Sequence, residues 1–187
     1  MPTSLIQPAR RRILRQASRF VVAAAAFPLI AMPARAARPA TRSLQLDHTH
    51  TGEKIALVYA AGGQYLPQAV QQLNHFLRDH YSGDVGNIDP SLFDLLHEVQ
   101  QTLGAVAPFQ VISGYRCPTT NDRLRKTGGG GVAKRSLHMD GKAIDIRLAG
   151  VPLTDLRDAA LSIKGGGVGT YTRDQFVHVD TGRVRSW

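Results

Sequence analysis

The sequence predicts an α+β domain, in which several helices pack against a small, mainly antiparallel β-sheet. Two patterns in the 187 residues predict it. Apolar residues recur at helical spacing in some segments, and in others they alternate with polar residues, as in half-buried strands. The helical segments are 66–81, 89–104 and 153–163. The alternating segments are 44–60, 109–113, 143–147 and 176–180.

A β-hairpin is the first predicted element, with strands on either side of the turn Thr51-Gly52-Glu53. It carries His48 and His50, an H-x-H pair of the kind that can bind a metal ion. Because this pair is remote in sequence from the other candidate ligands, we expect it to lie exposed on the hairpin.

Two helices follow the hairpin. The first, Leu66 to Tyr81, has its apolar residues at helical spacing, and Ser82-Gly83-Asp84 is expected to end it. The second is expected to begin at Asp89, a capping residue that is followed by a proline, and to run to Leu103-Gly104.

The second half of the chain opens with a predicted strand, Phe109 to Ser113, and a helix from about Pro118 to Arg125. Gly128 to Gly131 come next. They do not match a phosphate-binding loop, because such a loop needs a following Gly-Lys-Ser/Thr and a preceding strand. We expect a mobile loop at the border of a cleft instead. A further helix, Leu153 to Ile163, leads to the last strands.

One segment combines a histidine and an aspartate in a pattern suited to a metal ion. His138 lies three residues before Gly141, which can turn the chain back toward the strand that carries Asp145. In that strand Asp145 lies on one face, while Ile144 and Ile146 enter the core from the other.

A second segment, Phe176 to Asp180, repeats this alternation and carries His178. If the two strands pair, Asp145 and His178 lie within a few ångströms of each other. Two imidazoles and one carboxylate leave a fourth position to water, which is the arrangement of a catalytic zinc site. Taken singly, the residues also fit a simpler interpretation, with a satisfied strand histidine and Asp145 paired to Arg147 or Lys142.

These residues resemble the signature of the M15 or LAS group, zinc peptidases that cut D-amino-acid-containing peptides of bacterial cell walls. The signature is Ser-x-His-x-x-Gly-x-Ala-x-Asp with a later His. It is matched by Ser136, His138, Gly141, Ala143, Asp145 and His178. The segment Ser113-Gly114-Tyr115-Arg116 is similar to the family's Ser-Gly-Tyr-Arg element. The branch it resembles is the small exported murein endopeptidases.

The resemblance implies a hedgehog/DD-peptidase-like fold and a Zn²⁺ ion held by His138, Asp145 and His178. It implies hydrolysis of peptide bonds in peptidoglycan stem peptides or their cross-links, although a D,D- or L,D-carboxypeptidase fits the same residues. Arg116 would bind substrate and stabilise the negative charge that develops on the attacked carbonyl. The alternative for Arg116 is a surface ion pair.

The sequence departs from the family at the position of the general base. Many members have a Glu three residues before the last zinc ligand, or a His two residues before it, where this chain has Gln175 and Phe176. We assign the role to Asp180, and Asp174 and Asp140 are the other candidates.

Two alternative roles for Asp180 stay open. It shares a strand face with His178 and could orient that imidazole through its second nitrogen. It could also form a plain salt bridge with Arg183 or Arg185.

Residues 1–36 have the features of a twin-arginine export signal. Arg10 to Arg12 precede an apolar run from about Phe20 to Met32, and an Ala-x-Ala cleavage site ends at Ala36. The run is shorter than the roughly 20 residues of a membrane span. We therefore predict a periplasmic or cell-wall-associated protein with no stable membrane span after cleavage. An uncleaved N-terminal anchor is the alternative.

Cleavage would leave a short leader, residues 37–43, and one domain, residues 44–187, which is long enough to bury a core. The formal charge of +9 would fall to +3, because residues 1–36 contain six arginines and no other charged residue. This small positive net charge argues against nucleic-acid binding and is compatible with binding to peptidoglycan, an anionic polymer. Cys117 is the only cysteine, so no intramolecular disulfide can form.

Two other function classes remain open from the sequence. One is a cell-wall binding module with a vestigial zinc site, because the family's Glu is absent. The other is an exported metal-buffering or interaction protein, in which His48 and His50 would matter. The oligomeric state and the bond that is cut are not determined at this level.

Overall fold

The structure is a computed structural model that describes residues 41–127 and 131–187. The strands are β1 (Thr41–His48), β2 (Lys54–Ala61), β3 (Gln64–Tyr65), β4 (Phe109–Ser113), β5 (Ala143–Leu148), β6 (Gly167–Tyr171), β7 (Phe176–Asp180) and β8 (Arg185–Ser186). The helices are α1 (Pro67–Phe76), α2 (Pro90–Leu103), α3 (Pro118–Thr127) and α4 (Leu153–Ile163). The predicted export signal, residues 1–36, lies outside the described residues.

All eight strands form one sheet in the order β3-β2-β1-β4-β5-β7-β6-β8. The pairs β1–β4 and β6–β8 are parallel, and every other pair in this part of the chain is antiparallel. Helix α1 contacts β2, α2 contacts β1, and α4 contacts α2 and the strands β5 to β7. The predicted α+β class with a mainly antiparallel sheet is confirmed.

The hydrophobic core lies between one face of the sheet and these helices. The core residues of β5 and β7 are Ile144, Ile146, Val177 and Val179, and all four are fully buried. The burial of such side chains stabilises the fold by roughly 25 cal/mol per Å² of apolar surface. Because side chains alternate along a strand, the intervening residues of β5 and β7 point to the opposite face, which carries the candidate site.

Most predicted elements are present close to their predicted bounds. The side chain of Asp89 accepts a hydrogen bond from the amide of Ser91 at 3.0 Å, and Gly104 ends α2 in the left-handed conformation. β1 begins at Thr41, so residues 41–43 belong to the strand and not to the predicted leader. None of the helices in the two described ranges is long and apolar enough to cross a membrane.

Helix α1 is shorter than predicted, because it ends at Phe76 and not at Tyr81. Leu77 is fully buried, and its carbonyl accepts a hydrogen bond from the amide of Tyr115 at 2.7 Å. The carboxylate of Asp79 accepts a second one from the amide of Cys117 at 2.9 Å. These contacts tie Leu77 and Asp79 to the segment that carries the predicted substrate-binding arginine.

Candidate metal centre

A row of residues crosses four neighbouring strands on the face of the sheet away from the helices. Ser113 of β4 is paired with Asp145 of β5, Asp145 with His178 of β7, and His178 with Gly169 of β6. Directly opposed residues of antiparallel strands point to the same face and lie about 5 Å apart. The pairing register therefore brings together Asp145 and His178, as the sequence predicts.

His138 reaches this row from the turn that precedes β5. Gly141 has φ +65°, a left-handed conformation that glycine adopts without strain, and its carbonyl accepts a hydrogen bond from the amide of Asp89 at 2.9 Å. A Cβ atom at Gly141 would lie 2.0 Å from the carbonyl oxygen of Asn87. The turn therefore packs tightly against the loop before α2. This contact fixes the position of His138 relative to Asp145.

Candidate ligand atoms of three residues converge: one nitrogen from each histidine and the carboxylate oxygens of Asp145. His138 Nε2 lies 3.2 Å from His178 Nδ1 and 3.3 Å from Asp145 Oδ2, and His178 Nδ1 lies 2.8 Å from Asp145 Oδ1. In a tetrahedral zinc site with bonds of about 2.0–2.1 Å, neighbouring ligand atoms are about 3.3 Å apart. The observed separations fit such a site, and these residues are the one set of three or more candidate ligands within the described ranges.

The second nitrogen of each imidazole has its own acceptor. His138 Nδ1 lies 2.7 Å from the carbonyl oxygen of Gly114, and His178 Nε2 lies 3.2 Å from Asp180 Oδ2. Each of these outer nitrogens therefore keeps a proton, so His138 Nε2 and His178 Nδ1 are the nitrogens that a metal ion at the common point would meet. Histidines that bind metal ions are usually oriented in this way.

The charges at the centre favour a cation. Burial opposes ionisation of Asp145, but His138 and His178 outweigh burial and hold the pKa of this carboxyl well below its usual range. Burial likewise opposes protonation of His178, but hydrogen bonds to Asp145 and Asp180 raise its pKa to about 9. Without a metal ion, the raised pKa of His178 favours a proton on Nδ1 facing Asp145 near neutral pH, and a metal ion that binds there takes the place of this proton.

Asp180 lies behind His178 and is fully buried. Its Oδ1 accepts hydrogen bonds from the amides of Gly167 and Gly182 and from Arg185 Nη1, at 3.0, 2.8 and 3.1 Å. Its Oδ2 accepts from His178 Nε2 and from Arg185 Nη2, at 3.2 and 2.7 Å. Despite burial, these donors hold the pKa of Asp180 well below its usual range.

This position does not favour the predicted role of Asp180 as general base. All its acceptor sites face protein donors, and a carboxylate with so low a pKa is a weak proton acceptor. The contacts on which both alternative roles depend are present together, because Asp180 contacts the His178 imidazole and pairs with Arg185. Of the remaining candidate bases, Asp174 lines the cleft described next, and Asp140 is not among its lining residues.

A cleft of about 410 Å³ opens above the three ligands. Arg116 lines it, and its Nη2 lies 3.2 Å from Ser113 Oγ and 3.7 Å from Asp145 Oδ2. The Arg116 side chain is only 12% exposed, so it is not the surface ion pair that the sequence left as the alternative. Its backbone amide donates to the carbonyl of His138 at 3.2 Å, which links the predicted arginine to a predicted ligand.

Further residues complete the walls of the cleft. Val132 and Ala133 line it, and Asn121 Nδ2 holds this loop by donating to the carbonyl of Ala133 at 3.1 Å. Residues 128–130 of the glycine-rich loop lie outside the described residues. Tyr171, Phe176 and Trp187 also line the cleft. Trp187 and the Gly114 carbonyl were not predicted as residues of the site, because their contacts there form only once the strands and loops have come together.

The H-x-H pair is not exposed as a whole, because His48 is buried. His48 Nδ1 accepts hydrogen bonds from the amides of His50 and Thr51 at 3.2 and 3.4 Å, so it stabilises the hairpin turn. The His50 ring stacks on that of His80 with centroids 4.3 Å apart. Since the His48 lone pair is used by backbone amides, this geometry does not support the metal-buffering interpretation.

Comparisons with known proteins show the family of this chain. The family model Peptidase_M15_2, described as peptidoglycan L,D-endopeptidase MepK, matches residues 36–187. Peptidoglycan L,D-endopeptidase MepK of Escherichia coli K12 is 43% identical over 179 residues, which cover 96% of this chain and 97% of that protein. The probable peptidoglycan L,D-endopeptidase MepK of Haemophilus influenzae is 40% identical over 150 residues, or 80% of each chain.

Among solved structures, the L-Ala D-Glu endopeptidase ChiX of Serratia marcescens is similar with a TM-score of 0.35 and 16% identity, over 51% of this chain and 68% of that one. The family match covers every residue of the metal centre and of the cleft around it. The chain therefore belongs to the Peptidase_M15_2 family of M15-type peptidases, as its histidine and aspartate motifs predict.

Proposed function

We propose that this protein is a zinc-dependent endopeptidase that hydrolyses peptide bonds in peptidoglycan, at the L,D bonds for which its relatives are named. The observation that carries the proposal is the convergence of His138 Nε2, Asp145 and His178 Nδ1 at the spacing of tetrahedral zinc ligands, beneath an open cleft. Two nitrogens and one carboxylate oxygen form a ligand set typical of catalytic zinc.

Zinc, when bound by these residues, polarises the scissile carbonyl and lowers the pKa of water from about 15.7 to about 7. Asp145 contributes the negative charge that holds a dication in a buried site. The carbonyl of Gly114 and the carboxylate of Asp180 fix the imidazole rings through their outer nitrogens. Asp180 is then a positioning residue, and Arg185 keeps it ionised and in place.

Arg116 is proposed to stabilise the transition state. Its guanidinium is held by Ser113 and lies beside the Asp145 carboxylate, at the edge of the cleft. Negative charge that develops on the scissile carbonyl oxygen next to the metal centre would lie within its reach. A fixed charge in a partly dry site stabilises such an oxyanion more strongly than water does, and the loss of one donor typically costs about 100-fold or more in rate.

The place of action is proposed to be the periplasm or the cell wall. The support is the twin-arginine-like pattern of residues 1–36 and the modest positive charge of the remaining chain, which suits an anionic polymer. Cleavage after Ala36, with residues 44–187 as the catalytic domain, is part of this proposal. N-terminal sequencing of the protein from the periplasmic fraction tests it.

Digestion of purified peptidoglycan sacculi tests the activity. The zinc-loaded protein lacking residues 1–36 should release fragments, and a chelator or the change His138→Ala should abolish release. His75→Ala is the matched control, because His75 is exposed on α1 and far in sequence from the ligands. Mass spectrometry of the fragments separates an endopeptidase, which converts cross-linked dimers into monomers, from a carboxypeptidase, which releases single amino acids. Sacculi left intact under zinc would favour a cell-wall binding module.

A further inference from the structure

The row of residues across the sheet ends at Gly169, and the indole ring of Trp187 lies over this glycine. A Cβ atom at Gly169 would lie 2.6 Å from the ring, so any larger residue would displace it. Gly169 is paired with His178. The indole therefore occupies the space that a side chain at position 169 would fill beside His178. The centroids of the two rings are 5.4 Å apart.

Several contacts hold Trp187 in this position. Its amide donates to the carbonyl of Val168, and its carbonyl accepts from the amide of Thr170, at 3.2 and 3.0 Å. The indole Nε1 donates to Tyr171 Oη at 3.2 Å, and the Arg185 guanidinium lies 4.8 Å from the ring centroid. The ring is therefore preorganised by backbone and side-chain contacts together.

Despite these contacts, Trp187 is 50% exposed, and it lines the cleft above the metal centre. A tryptophan that only filled space in the fold would be expected to lie buried, because its surface is large and mostly apolar. Beside it, the rings of Tyr171 and Phe176 stack with centroids 4.5 Å apart and also line the cleft. One wall of the cleft is thus aromatic, while Arg116 and Arg135 line other parts of it.

We propose that Trp187 is a substrate-contacting residue, whose exposed indole face binds the aliphatic part of a peptide residue next to the scissile bond. The inference rests on the proposed function, because it takes the substrate to be a peptide bound across the metal centre. A rigid aromatic face gives a large contact area at a low cost in conformational entropy, and the neighbouring arginines suit a peptide that carries free carboxylates.

Trp187 is the only tryptophan, so its fluorescence reports on this site directly. The probe is a cross-linked stem-peptide dimer prepared from peptidoglycan, added to protein kept free of zinc by a chelator so that no hydrolysis occurs. We expect a saturable shift of the emission to shorter wavelength, because the bound peptide removes water from the indole. An emission spectrum that stays unchanged up to millimolar peptide overturns the proposal.

Kinetics of zinc-loaded variants provide the second measurement. Trp187→Ala should lower kcat/KM by about tenfold, mainly through KM, and Trp187→Phe should restore most of the loss. Val184→Ala is the matched control, since Val184 is exposed, belongs to the same C-terminal segment and does not line the cleft. Zinc stoichiometry and Tm should stay unchanged in all three variants. Loss of zinc by Trp187→Ala would make the role structural and overturn the proposal.

The two proposals fail in different ways. If the zinc-loaded protein leaves sacculi and dimers intact while the fluorescence titration saturates, the proposed hydrolysis is wrong and the substrate-contact role of Trp187 stands. If dimers are cleaved and Trp187→Ala has the kcat/KM of the unaltered protein, hydrolysis stands and the role of Trp187 is wrong.

Discussion

The change Asp180→Asn separates the two roles considered for this carboxylate. In Asp180, Oδ1 accepts hydrogen bonds from three donors and Oδ2 accepts from two. An asparagine keeps one acceptor oxygen, and this oxygen should turn to the side with three donors. The new amide NH2 group then faces His178 Nε2, donor against donor. His178 loses the acceptor that orients it, and the ring no longer keeps a lone pair on Nδ1 for a metal ion.

The magnitude follows from these contacts. Loss of a residue that orients a metal ligand typically costs about 10–100-fold in metal affinity, or about 1.4–2.7 kcal/mol. The metal-free protein should also lose stability, because charged hydrogen bonds contribute about 1.5–3 kcal/mol each. Arg185 is 34% exposed and can recover some hydration, so we expect a total loss of about 2 kcal/mol in the free energy of unfolding.

Two assays measure the effect. Competition with a chromophoric chelator gives the zinc affinity, and hydrolysis of a cross-linked dimer at saturating zinc gives kcat. We expect weaker zinc binding and a kcat that recovers to within about tenfold once zinc saturates the site. Asp155→Asn is the control, because Asp155 is exposed on α4 and does not line the cleft. Unchanged zinc affinity with kcat lowered by about 100-fold or more would refute this reasoning and restore Asp180 as the general base.

Three further predictions concern other parts of the chain. Arg116→Lys should lower kcat by about 100-fold at unchanged zinc affinity, because an ammonium cannot keep the directed donors of the guanidinium; steady-state kinetics and zinc titration measure this. Gly141→Ala should lower the free energy of unfolding by about 3 kcal/mol or more in urea titrations, since it combines a left-handed backbone with a Cβ 2.0 Å from the Asn87 carbonyl. His48 should make the protein less stable in acid: burial lowers its folded pKa to about 4, so the unfolded chain binds more protons below the ordinary pKa of 6.5. The loss should develop from pH 6.5 down to about 4 and reach at most about 3 kcal/mol.

A specific result would contradict each of these three predictions. An Arg116→Lys enzyme with normal kcat would show that the guanidinium does not stabilise the reaction. A Gly141→Ala protein of normal stability would mean that the turn before β5 can relax. His48→Asn keeps an acceptor for the turn amides and does not titrate. The same acid destabilisation in this variant would therefore exclude His48 as its origin.

Much of the fold was predictable because its elements have local signals. The proline after Asp89 and the glycine at 104 mark the two ends of α2, and both ends lie where the sequence predicts them. The alternation around Asp145 and His178 predicts which face each side chain takes, and the pairing of β5 with β7 confirms it. The end of α1 was not predictable, because a contact between the Leu77 carbonyl and the distant amide of Tyr115 determines it.

The candidate site divides in the same way. His138, Asp145, His178 and Arg116 could be named from their motifs, and the structure brings all four together at one cleft. The burial of His48 could not be predicted, since a histidine that accepts hydrogen bonds from its own turn has no distinct sequence pattern.

By itself, the amino-acid sequence determined the fold class, the identity of the candidate ligands and the motifs that mark this family. Residue spacing carries that information, because strand alternation and glycine turns act over a few neighbouring positions. Only the tertiary structure decided what surrounds those ligands: the Gly114 carbonyl behind His138, the donors that enclose Asp180, and the Trp187 indole over Gly169. These contacts join residues that are far apart along the chain or that local periodicity does not connect, so they exist only once the strands have paired in register.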